Sequence, residues 1–329
     1  MTSDSVGILA TGSYLPKSEI TNEEIAARFG VTNEWIERKT MIRSRRCAAA
    51  WEAVSDLAAQ AATRALEQAE LSAGQVDFLI VATSTGDFLV PPTSCVVQAA
   101  IGAQRAACLD VNVACSGFVY GIALARSLVL SAPGTRALVV ASDVWSRFTD
   151  PKDRSTSVLL GDGAGAAVVG EVTSSPGIVE IDLRGRGEAS QLLVVEAGGS
   201  RRPASHQSVD DGGHFLRMQG RQVTEFVLSN LPGAVADLLA RAGVRPEMVD
   251  HFIPHQANGV MLGNLFERTG MTNARQHLTI DRYGNVGAAS IPVTLDDANK
   301  AGLLRRGDLV LLAGFGGGMA LGTCLLRWA

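Results

Sequence analysis

The chain lacks the features that mark several large classes of protein. Its 329 residues carry 29 Lys and Arg against 33 Asp and Glu, a net charge of −4, without the clustered cationic charge that nucleic-acid binding requires. The N-terminus has no basic segment, and the longest apolar run, GFVYGIALARSLVL, is interrupted by Arg126 and is too short to cross a bilayer. We therefore expect a soluble protein without a secretory signal, a membrane span or a nucleic-acid partner.

The five cysteines, Cys47, Cys95, Cys108, Cys115 and Cys324, are odd in number and irregularly spaced. No Cys-x-x-Cys pair occurs, so the sequence predicts neither a zinc site nor a disulfide framework. Free thiols are typical of a reducing compartment, and we therefore expect a cytoplasmic protein without a bound metal.

Apolar segments of strand length alternate with Ala-rich amphipathic segments, a pattern that indicates an α/β fold. At roughly 100–200 residues per domain, the length predicts two domains or one large duplicated fold. The clearest helices are VSDLAAQAATRALEQAEL and NLPGAVADLLARAGV. Each precedes a predicted strand, VDFLIVATS after the first and VDHFIPH after the second.

Two pairs of segments recur in the same order and indicate an internal duplication. AELSAGQVDFLIVATS and AGVRPEMVDHFIPHQ share a helix end, a turn, Val-Asp, a strand and a polar loop. RALVVASD followed by GDGAGAAVVG is echoed by GDLVLLAGFG followed by GGMALGTCLL. Unrelated βα units also look alike, but the repeated order favours two halves, residues 1–172 and 173–329, with a seam near residues 171–176.

Cys115 is a candidate nucleophile. It lies in LDVNVACSGFVYGIALARSLVL, where a buried strand is predicted to pass through a tight turn into a helix. The positive end of a helix dipole favours a thiolate, so we expect the pKa of this thiol to be lowered. The alternative is a buried structural cysteine.

His255 and Asn285 are the other candidate catalytic residues. His255, in HFIPHQAN, follows a predicted strand, and strand ends in open α/β sheets are where active sites gather. Asn285, in DRYGNVGAASIPVTL, lies in a sharp turn ahead of a predicted helix. Taken alone, such a histidine is more often structural, and such an asparagine is usually a turn residue.

The glycine-rich segments GDGAGAAVVG and GFGGGMALG do not fit a dinucleotide site. The pattern GxGxxG requires a strand before it and a helix after it, whereas strand-like residues follow both segments. The glycines instead allow backbone to approach backbone or a thioester. We therefore expect no bound cofactor.

The order Cys, His, Asn also occurs in papain-like proteases, whose histidine lies roughly 130–150 residues after the cysteine. His255 lies at that distance from Cys115, but no CGSCW-type segment is present and strands alternate with helices throughout. The sequence instead resembles, from end to end, the β-ketoacyl-acyl-carrier-protein synthase III family of the thiolase superfamily. The segments that carry the resemblance are GSYLP, TNEWIERK, IRSRR, ATSTGDFLVPPTS, VNVACSGFVYG, SRFTDPKDRS, GDGAGAAVVG, PHQAN, YGNVGAASIP and GFGGG.

The resemblance implies a five-layer αβαβα thiolase fold, a homodimer and a Cys115–His255–Asn285 triad. Cys115 would accept the acyl group of an acyl-CoA, and malonyl carried on acyl carrier protein would then lose carbon dioxide and attack it. His255 and Asn285 would stabilise the enolate through N–H donors, for which a neutral amide suits better than a carboxylate. The backbone N–H groups of Cys115 and Gly317 would hold the second oxyanion.

Further positions follow from the same resemblance. Trp35 and Arg154 would stack about the CoA adenine, Asn258 would contact pantetheine, and Phe315 would stand beside the nucleophile. The expected acyl-pocket positions are Ser84, Val90, Trp145 and Arg147. Val90 replaces a bulky aromatic that a partner subunit often inserts, which predicts a primer longer than acetyl. Arg147 would pair with the distal carboxylate of a dicarboxylic primer such as glutaryl.

The chain also departs from the family pattern. Lys39-Thr40-Met41 replaces an Arg-Thr-Gly segment of the CoA site, and Gly259 and Val260 replace the basic residue that follows HQAN and helps to dock the carrier protein. Arg221 and Arg268 are candidates for a substitute basic patch.

Three functions remain open at this point. The first is decarboxylative condensation, in fatty-acid initiation, in a specialised pathway or in biotin precursor synthesis from glutaryl-CoA. The second is acyl transfer to an alcohol or amine, and the third is a silent acyl-binding protein. The intact Cys–His–Asn set argues against the third.

Overall fold

A computed structural model describes residues 5–173 and 177–329 of the chain. The strands are β1 Val6–Tyr14, β2 Ser18–Thr21, β3 Ser44–Cys47, β4 Phe78–Ala82, β5 Ala107–Val111, β6 Ala137–Val144, β7 Asp162–Glu171, β8 Ile178–Gly185, β9 Leu193–Val195, β10 Leu216–Met218, β11 His251–Pro254, β12 Arg275–Gln276, β13 Leu309–Gly316 and β14 Ala320–Arg327. The helices are α1 Asn22–Phe29, α2 Asn33–Thr40, α3 Val54–Gln68, α4 Thr93–Ile101, α5 Gly117–Ser131, α6 Arg154–Ser157, α7 His206–Asp210, α8 Gly220–Arg241, α9 Gly259–Glu267, α10 Ile280–Tyr283 and α11 Ser290–Lys300.

Two five-stranded sheets repeat each other strand for strand. The first has the order β1-β7-β6-β4-β5, and the second, read in the same direction, has the order β8-β14-β13-β11-β12. The two outer pairs on one side are antiparallel in each sheet, and the inner pairs β4–β6 and β11–β13 are parallel. The duplicated α/β fold is therefore confirmed. The boundary between residues 172 and 173 stays a prediction, because part of the proposed seam, residues 174–176, lies outside the described residues.

Helices α5 and α11 form the central layer between the two sheets. Phe118 and Ile122 of α5 and Leu295 of α11 are fully buried in one apolar cluster with Val139 of β6 and Leu312 of β13. Helices α3 and α4 cover the outer face of the first sheet, and α8 and α9 cover the outer face of the second. The result is the five-layer αβαβα arrangement that the resemblance implied.

The predicted helices form where their apolar faces are continuous. Leu57, Ala61 and Ala65 repeat at four-residue spacing along α3 and are fully buried, as the amphipathic pattern predicted. Helix α8 begins at Gly220, about ten residues before the predicted segment, and continues through Pro232. Val223 and Val227 continue the four-residue apolar spacing of Leu231 and Val235 toward the N-terminus, so the sequence carried a signal for this earlier start that the prediction did not use.

Two helical segments, Ala114–Ser131 and Gly220–Arg241, are long and apolar enough to span a membrane by length and composition alone. The first packs between the sheets and the second packs on the outer face of the second sheet. Core helices of soluble proteins pass the same test, and this packing favours a soluble protein.

Candidate active site

Cys115 lies at the entry to the central helix, as the sequence predicted. After β5 the chain turns through Ala114, whose φ of +43° is unusual for a residue with a side chain, into a single 3-10 turn at Ala114–Ser116 that runs into α5. Gly316, at the end of β13, packs against the backbone of Cys115. A side chain there would place its Cβ 2.7 Å from the backbone nitrogen of Cys115, so glycine is required for this approach.

The expected lowering of the pKa of Cys115 is wrong for the empty site. Burial is the largest cause of a raised pKa for this thiol, and the charge of Asp143 raises it further, whereas a backbone hydrogen bond acts weakly in the other direction. The helix position was predicted correctly, but desolvation of the thiolate outweighs the helix dipole. Cys115 is therefore a neutral thiol before substrate binds.

His255 is a buried, neutral histidine at the end of β11. Its backbone N–H donates to the carbonyl of Ala313 at 2.8 Å, which anchors it to β13, and its ring packs edge-on against Phe315 with 5.0 Å between ring centroids. Burial lowers the pKa of His255 to about 3, against a smaller opposing effect of the Gly287 backbone. Nδ1 of His255 is buried and has no hydrogen-bond partner in the described part of the chain.

Asn285 is fixed in a turn before α11. Its backbone N–H donates to Leu159 at 2.8 Å, its carbonyl accepts from Gly161 at 2.9 Å, and its side-chain Oδ1 accepts from the N–H of Gly287 at 3.0 Å. This bond places Oδ1 on the Gly287 side of the amide. The Nδ2 group on the other side is therefore the donor that Asn285 can offer to a ligand.

The three triad residues line one cavity of about 280 Å³. They reach it from the start of α5, the end of β11 and the turn before α11, so the central layer and the second sheet both contribute. Phe315 and Asn258 also line this cavity, and Arg221 is the charged side chain in its wall. The remaining wall is formed by Ser155, Leu159, Leu193, Met218, Gly220, Val223, Thr224, Ala257, Met261 and Gly316.

A second cavity, of about 620 Å³, lies on the other side of Leu193, which lines both. Ser84 and Trp145, the two expected acyl-pocket residues that line a cavity, and Gly317, the expected oxyanion donor, all line this larger cavity. Ser84 Oγ donates to Oδ1 of Asn112 at 2.8 Å, so a polar pair forms part of the wall.

Trp35 and Arg154 lie together, as the resemblance implied. The guanidinium carbon of Arg154 is 5.0 Å from the centroid of the Trp35 ring, a cation–π arrangement. Ser155, the next residue in α6, lines the catalytic cavity. The pair therefore stands beside that cavity.

Three other predicted site residues have different surroundings. Val90 lies outside both cavities and is 84% exposed in the single chain, so it lines no pocket of its own chain among these two. Arg147 also lies outside both, and its Nη2 donates to the carbonyls of Ala49, Ala50 and Glu52. Arg147 therefore braces the loop before α3, and the pairing with a distal carboxylate has no support in the structure. Asn258 lines the cavity but is also the N-cap of α9 and donates to the carbonyl of Lys39.

The two departures from the family pattern are in contact with each other. Met41 ends α2 with a φ of +62°, and a Cβ added to Gly259 would lie 2.6 Å from Met41 Cβ and 2.8 Å from its sulfur. A larger residue at position 259 is therefore excluded while Met41 is present. Val260 is 40% exposed beside it.

Sequence reasoning missed Asp143 and Gly316. Asp143 contributes to the pKa of Cys115, and Gly316 supports its backbone. An acid inside the apolar run ALVVASD was the available signal for Asp143, because a buried carboxylate is unusual in such a strand.

A neutral cysteine at the start of a central helix, facing a neutral histidine and an asparagine amide on a duplicated five-layer fold, defines a condensing enzyme of the thiolase superfamily. Comparison with known proteins narrows the class. The family described as 3-oxoacyl-[acyl-carrier-protein (ACP)] synthase III matches residues 109–187, and the family described as its C terminal matches residues 239–328.

Individual relatives match along the whole chain. A beta-ketoacyl-[acyl-carrier-protein] synthase III from Caldanaerobacter subterraneus subsp. tengcongensis is 42% identical over 99% of this chain and 98% of its own. The acetoacetyl CoA synthase NphT7 from Streptomyces sp. strain CL190 is 45% identical over 100% of both chains. The crystal structure of 3-oxoacyl-[acyl-carrier-protein] synthase III from Aquifex aeolicus VF5 is 36% identical, with a TM-score of 0.90 over 98% of this chain and 100% of that chain. The chain therefore belongs to the β-ketoacyl-acyl-carrier-protein synthase III family.

Proposed function

We propose that the chain condenses an acyl-CoA primer with a malonyl thioester, with loss of carbon dioxide, through Cys115, His255 and Asn285. The observation that carries this proposal is the single cavity lined by these three residues, in which the two donors are uncharged.

In the first half-reaction the sulfur of Cys115 attacks the carbonyl carbon of acyl-CoA. The carbon–sulfur bond to CoA breaks, and the proton of Cys115 leaves with the CoA thiol. The backbone N–H groups of Cys115 and Gly317 are the proposed donors to the oxyanion of this step. The Trp35–Arg154 pair beside the cavity would hold the adenine end of CoA.

In the second half-reaction the malonyl thioester loses its carboxylate as carbon dioxide, and the electron pair of that bond forms an enolate. His255 and the Nδ2 group of Asn285 donate to the enolate oxygen. The enolate carbon then bonds to the acyl carbon on Cys115, the carbon–sulfur bond breaks, and Cys115 takes up a proton. An uncharged histidine and an amide suit this step, since a carboxylate would repel the enolate.

The direct test is product analysis. Purified protein would be incubated with a series of acyl-CoAs and with malonyl carried either on acyl carrier protein or on CoA, and products would be identified by mass spectrometry. A β-ketoacyl thioester with carbon dioxide released in equal amount supports the proposal. An acylated alcohol or amine without carbon dioxide would assign the chain to acyl transfer instead.

A second candidate concerns the carrier of the malonyl group. The relative named acetoacetyl CoA synthase is 45% identical along the whole chain, and its name indicates a product on CoA. In this chain the apolar Met41, Gly259 and Val260 occupy the positions where the family has its Arg-Thr-Gly glycine and its carrier-docking basic residue. Malonyl-CoA is therefore the alternative donor, and the same product analysis separates the two.

We also propose a homodimer in the cytoplasm. Phe88, Leu89 and Val90 form an exposed apolar loop, 63%, 87% and 84% exposed, and β5 is an edge strand of the first sheet. Apolar loops beside an open sheet edge are suited to a second copy of the chain. All five cysteines are free, which fits a reducing compartment. Sedimentation at twice the 34.5 kDa chain mass would support the dimer, and a monomer at micromolar concentration would contradict it.

The primer is proposed to be longer than acetyl. The larger cavity adjoins Cys115 through Ala114 and Gly317, and Val90 would leave it without a partner's aromatic ring. Glutaryl-CoA, and with it biotin precursor synthesis, loses the support first drawn from Arg147, whose guanidinium group is bonded to carbonyls. We therefore propose a medium-length, uncharged acyl group.

A further inference from the structure

Asp143 is a buried carboxylate of β6 that pairs with no cation in residues 5–173 and 177–329. It is 0% exposed. Its Oδ1 accepts from the N–H of Ser84 at 2.9 Å and from the hydroxyls of Thr83 and Thr85 at 3.2 and 3.1 Å, and its Oδ2 accepts from the N–H of Ala288 at 2.8 Å. A buried charge is costly unless donors surround it, and here four donors from two segments do so.

The bond to Ala288 joins Asp143 to the turn that carries Asn285. Gly287 lies between them with a φ of +59°, and a Cβ there would lie 2.2 Å from Oδ2 of Asp143. The N–H of Gly287 donates to Oδ1 of Asn285. The N–H groups of two consecutive residues, Gly287 and Ala288, therefore donate to Asn285 and to Asp143 respectively. A displacement of the Asp143 carboxylate would move this turn, and with it the amide of Asn285.

The bonds to Thr83, Ser84 and Thr85 join the same carboxylate to the wall of the larger cavity. Ser84 lines that cavity and also bonds Asn112. One carboxylate thus ties the proposed acyl cavity to the turn that holds a donor for the enolate. The two segments that contact it, Thr83–Thr85 and Gly287–Ala289, carry no charged side chain.

Asp143 faces the central layer, on the same side as Cys115. Val139 and Ala141 of β6 belong to the inner cluster with α5, whereas Leu138, Val140 and Val144 belong to the outer cluster with α3. Side chains alternate along a strand, so Asp143 points inward. The negative charge of Asp143 disfavours a second negative charge on the Cys115 thiol, and it therefore raises the pKa of that thiol.

We propose that Asp143 is a positioning residue of the condensation, which fixes the Asn285 turn against the Ser84 wall of the acyl cavity. Its negative charge also disfavours the thiolate of Cys115 in the empty site. The assignment rests on the proposed function for the role of Asn285, but the effect of the charge on Cys115 does not depend on which substrates are used.

The test compares Asp143→Asn with Asp162→Asn. Asp162 is also 0% exposed and accepts from the N–H groups of Ala48 and Ser146, but it lies on β7 among the residues that face α3. It is therefore a matched buried carboxylate on the opposite face of the same sheet. An amide at position 143 keeps the shape but presents an N–H group to Ala288 or to the Ser84 loop, so one side of the link is broken.

Two readouts are measured for each variant. The first is carbon dioxide release from the malonyl thioester, relative to acylation of Cys115 by acyl-CoA. We expect Asp143→Asn to lower release by roughly tenfold or more while acylation persists, since hydrogen bonds to charged groups are among the stronger ones. The second is the pH dependence of alkylation of Cys115 by iodoacetamide. Removal of the negative charge lowers the pKa of the thiol, so the profile should move to lower pH in Asp143→Asn and stay in place in Asp162→Asn.

Several results would overturn the assignment. Equal loss of both half-reactions in the two variants, with no difference between their alkylation profiles, would make Asp143 a residue of the fold alone. Asp143→Glu keeps the charge and moves the oxygens, so the assignment expects a wild-type alkylation profile together with a fall in carbon dioxide release. Wild-type carbon dioxide release in Asp143→Glu would contradict the positioning role. Failure of both Asp143 variants to fold, while Asp162→Asn folds, would also assign Asp143 to stability only. A wild type that releases no carbon dioxide contradicts the proposed function instead, and the alkylation comparison still reads the effect of Asp143 on Cys115.

Discussion

Cys115 and His255 are both buried and both uncharged before substrate binds. This differs from a preformed thiolate–imidazolium pair, in which each charge stabilises the other. Burial raises the pKa of the thiol and lowers that of the histidine to about 3, so desolvation favours the neutral form of each. In the proposed reaction, the site would therefore stabilise charge that develops during the reaction and not charge that is present at rest.

Replacement of Asn285 should separate the two half-reactions. In Asn285→Ala the enolate loses one of its two proposed donors, and loss of one oxyanion donor typically costs about 3–4 kcal/mol, or roughly 10²–10³ in rate. Carbon dioxide release should fall by that factor while Cys115 still accepts an acyl group. His255→Ala should behave in the same way.

Asn273→Ala is the control for this experiment, because Asn273 bonds the carbonyl of Glu247 and lies outside the cavity. Condensation by Asn285→Ala at close to the wild-type rate would return Asn285 to the role of a turn residue.

Residue positions in the site were more predictable than their electrostatics. The motifs around Cys115, His255 and Asn285 predicted that the three would act together, and the structure places them on one cavity. The direction of the pKa of Cys115 could not be predicted from its helix, because it depends on burial and on Asp143, which is distant in sequence. The pairing predicted for Arg147 lacks support for a similar reason. Its hydrogen-bond partners, the carbonyls of Ala49, Ala50 and Glu52, lie about a hundred residues earlier in the chain.

At the scale of elements, the junction between α2 and α9 distinguishes this chain from the family pattern. Asn258 caps α9 and donates to the carbonyl of Lys39, and Gly259 packs on Met41. The two departures, which are more than two hundred residues apart in sequence, are therefore one local change in packing. Sequence alone showed each departure but not their contact.

Restoring a basic residue at this junction should favour a carrier-protein substrate. Val260→Arg adds a cation at an exposed position beside the cavity, and exposed ion pairs contribute roughly 0.2–1 kcal/mol, so kcat/KM for malonyl carrier protein should rise by up to about fivefold relative to malonyl-CoA. The rise should disappear at high salt.

Val209→Arg serves as the matched control, because Val209 is also an exposed valine, on α7. A ratio of the two substrates that is the same in Val260→Arg, Val209→Arg and wild type would show that position 260 does not contact the carrier.

Strand order was predictable because the two halves repeat. The recurrence of a strand, a polar loop and a glycine-rich strand in each half predicted the duplication, and the two sheets have matching orders. The early start of α8 was missed although the sequence indicates it, because Val223 and Val227 extend the four-residue apolar spacing of Leu231 and Val235. The sequence pattern could not show that Gly220, Val223 and Thr224 of these first turns line the catalytic cavity.

For the whole molecule, the proposed dimer and the proposed primer choice both depend on one loop. Phe88, Leu89 and Val90 are exposed in the single chain and lie in the segment that the family resemblance assigns to the partner's acyl pocket. If two copies associate through this loop, residue 90 of one copy sets the depth of the pocket in the other. Primer length then becomes a property of the dimer.

Val90→Phe should shorten the preferred primer. Each buried methylene contributes about 0.8 kcal/mol, so the wild type should prefer butyryl- or hexanoyl-CoA to acetyl-CoA, and the added ring should reverse that order. The measurement is kcat/KM for acetyl-, butyryl-, hexanoyl- and glutaryl-CoA in both proteins.

Leu89→Phe, at the neighbouring exposed position, should leave the ranking unchanged. A wild type that clearly prefers acetyl-CoA would contradict the open-pocket account, and an unchanged ranking in Val90→Phe would remove residue 90 from the pocket.

The central claim is that Cys115 carries the acyl group between the two half-reactions, and intact-mass spectrometry tests it most directly. Wild type treated with acyl-CoA alone should gain the mass of one acyl group, and addition of the malonyl thioester should discharge it with one carbon dioxide for each β-ketoacyl product. Cys115→Ala should gain no mass, while Cys95→Ala, which removes an exposed free thiol, should behave as wild type. An adduct that persists in Cys115→Ala, or discharge without carbon dioxide, would contradict the account.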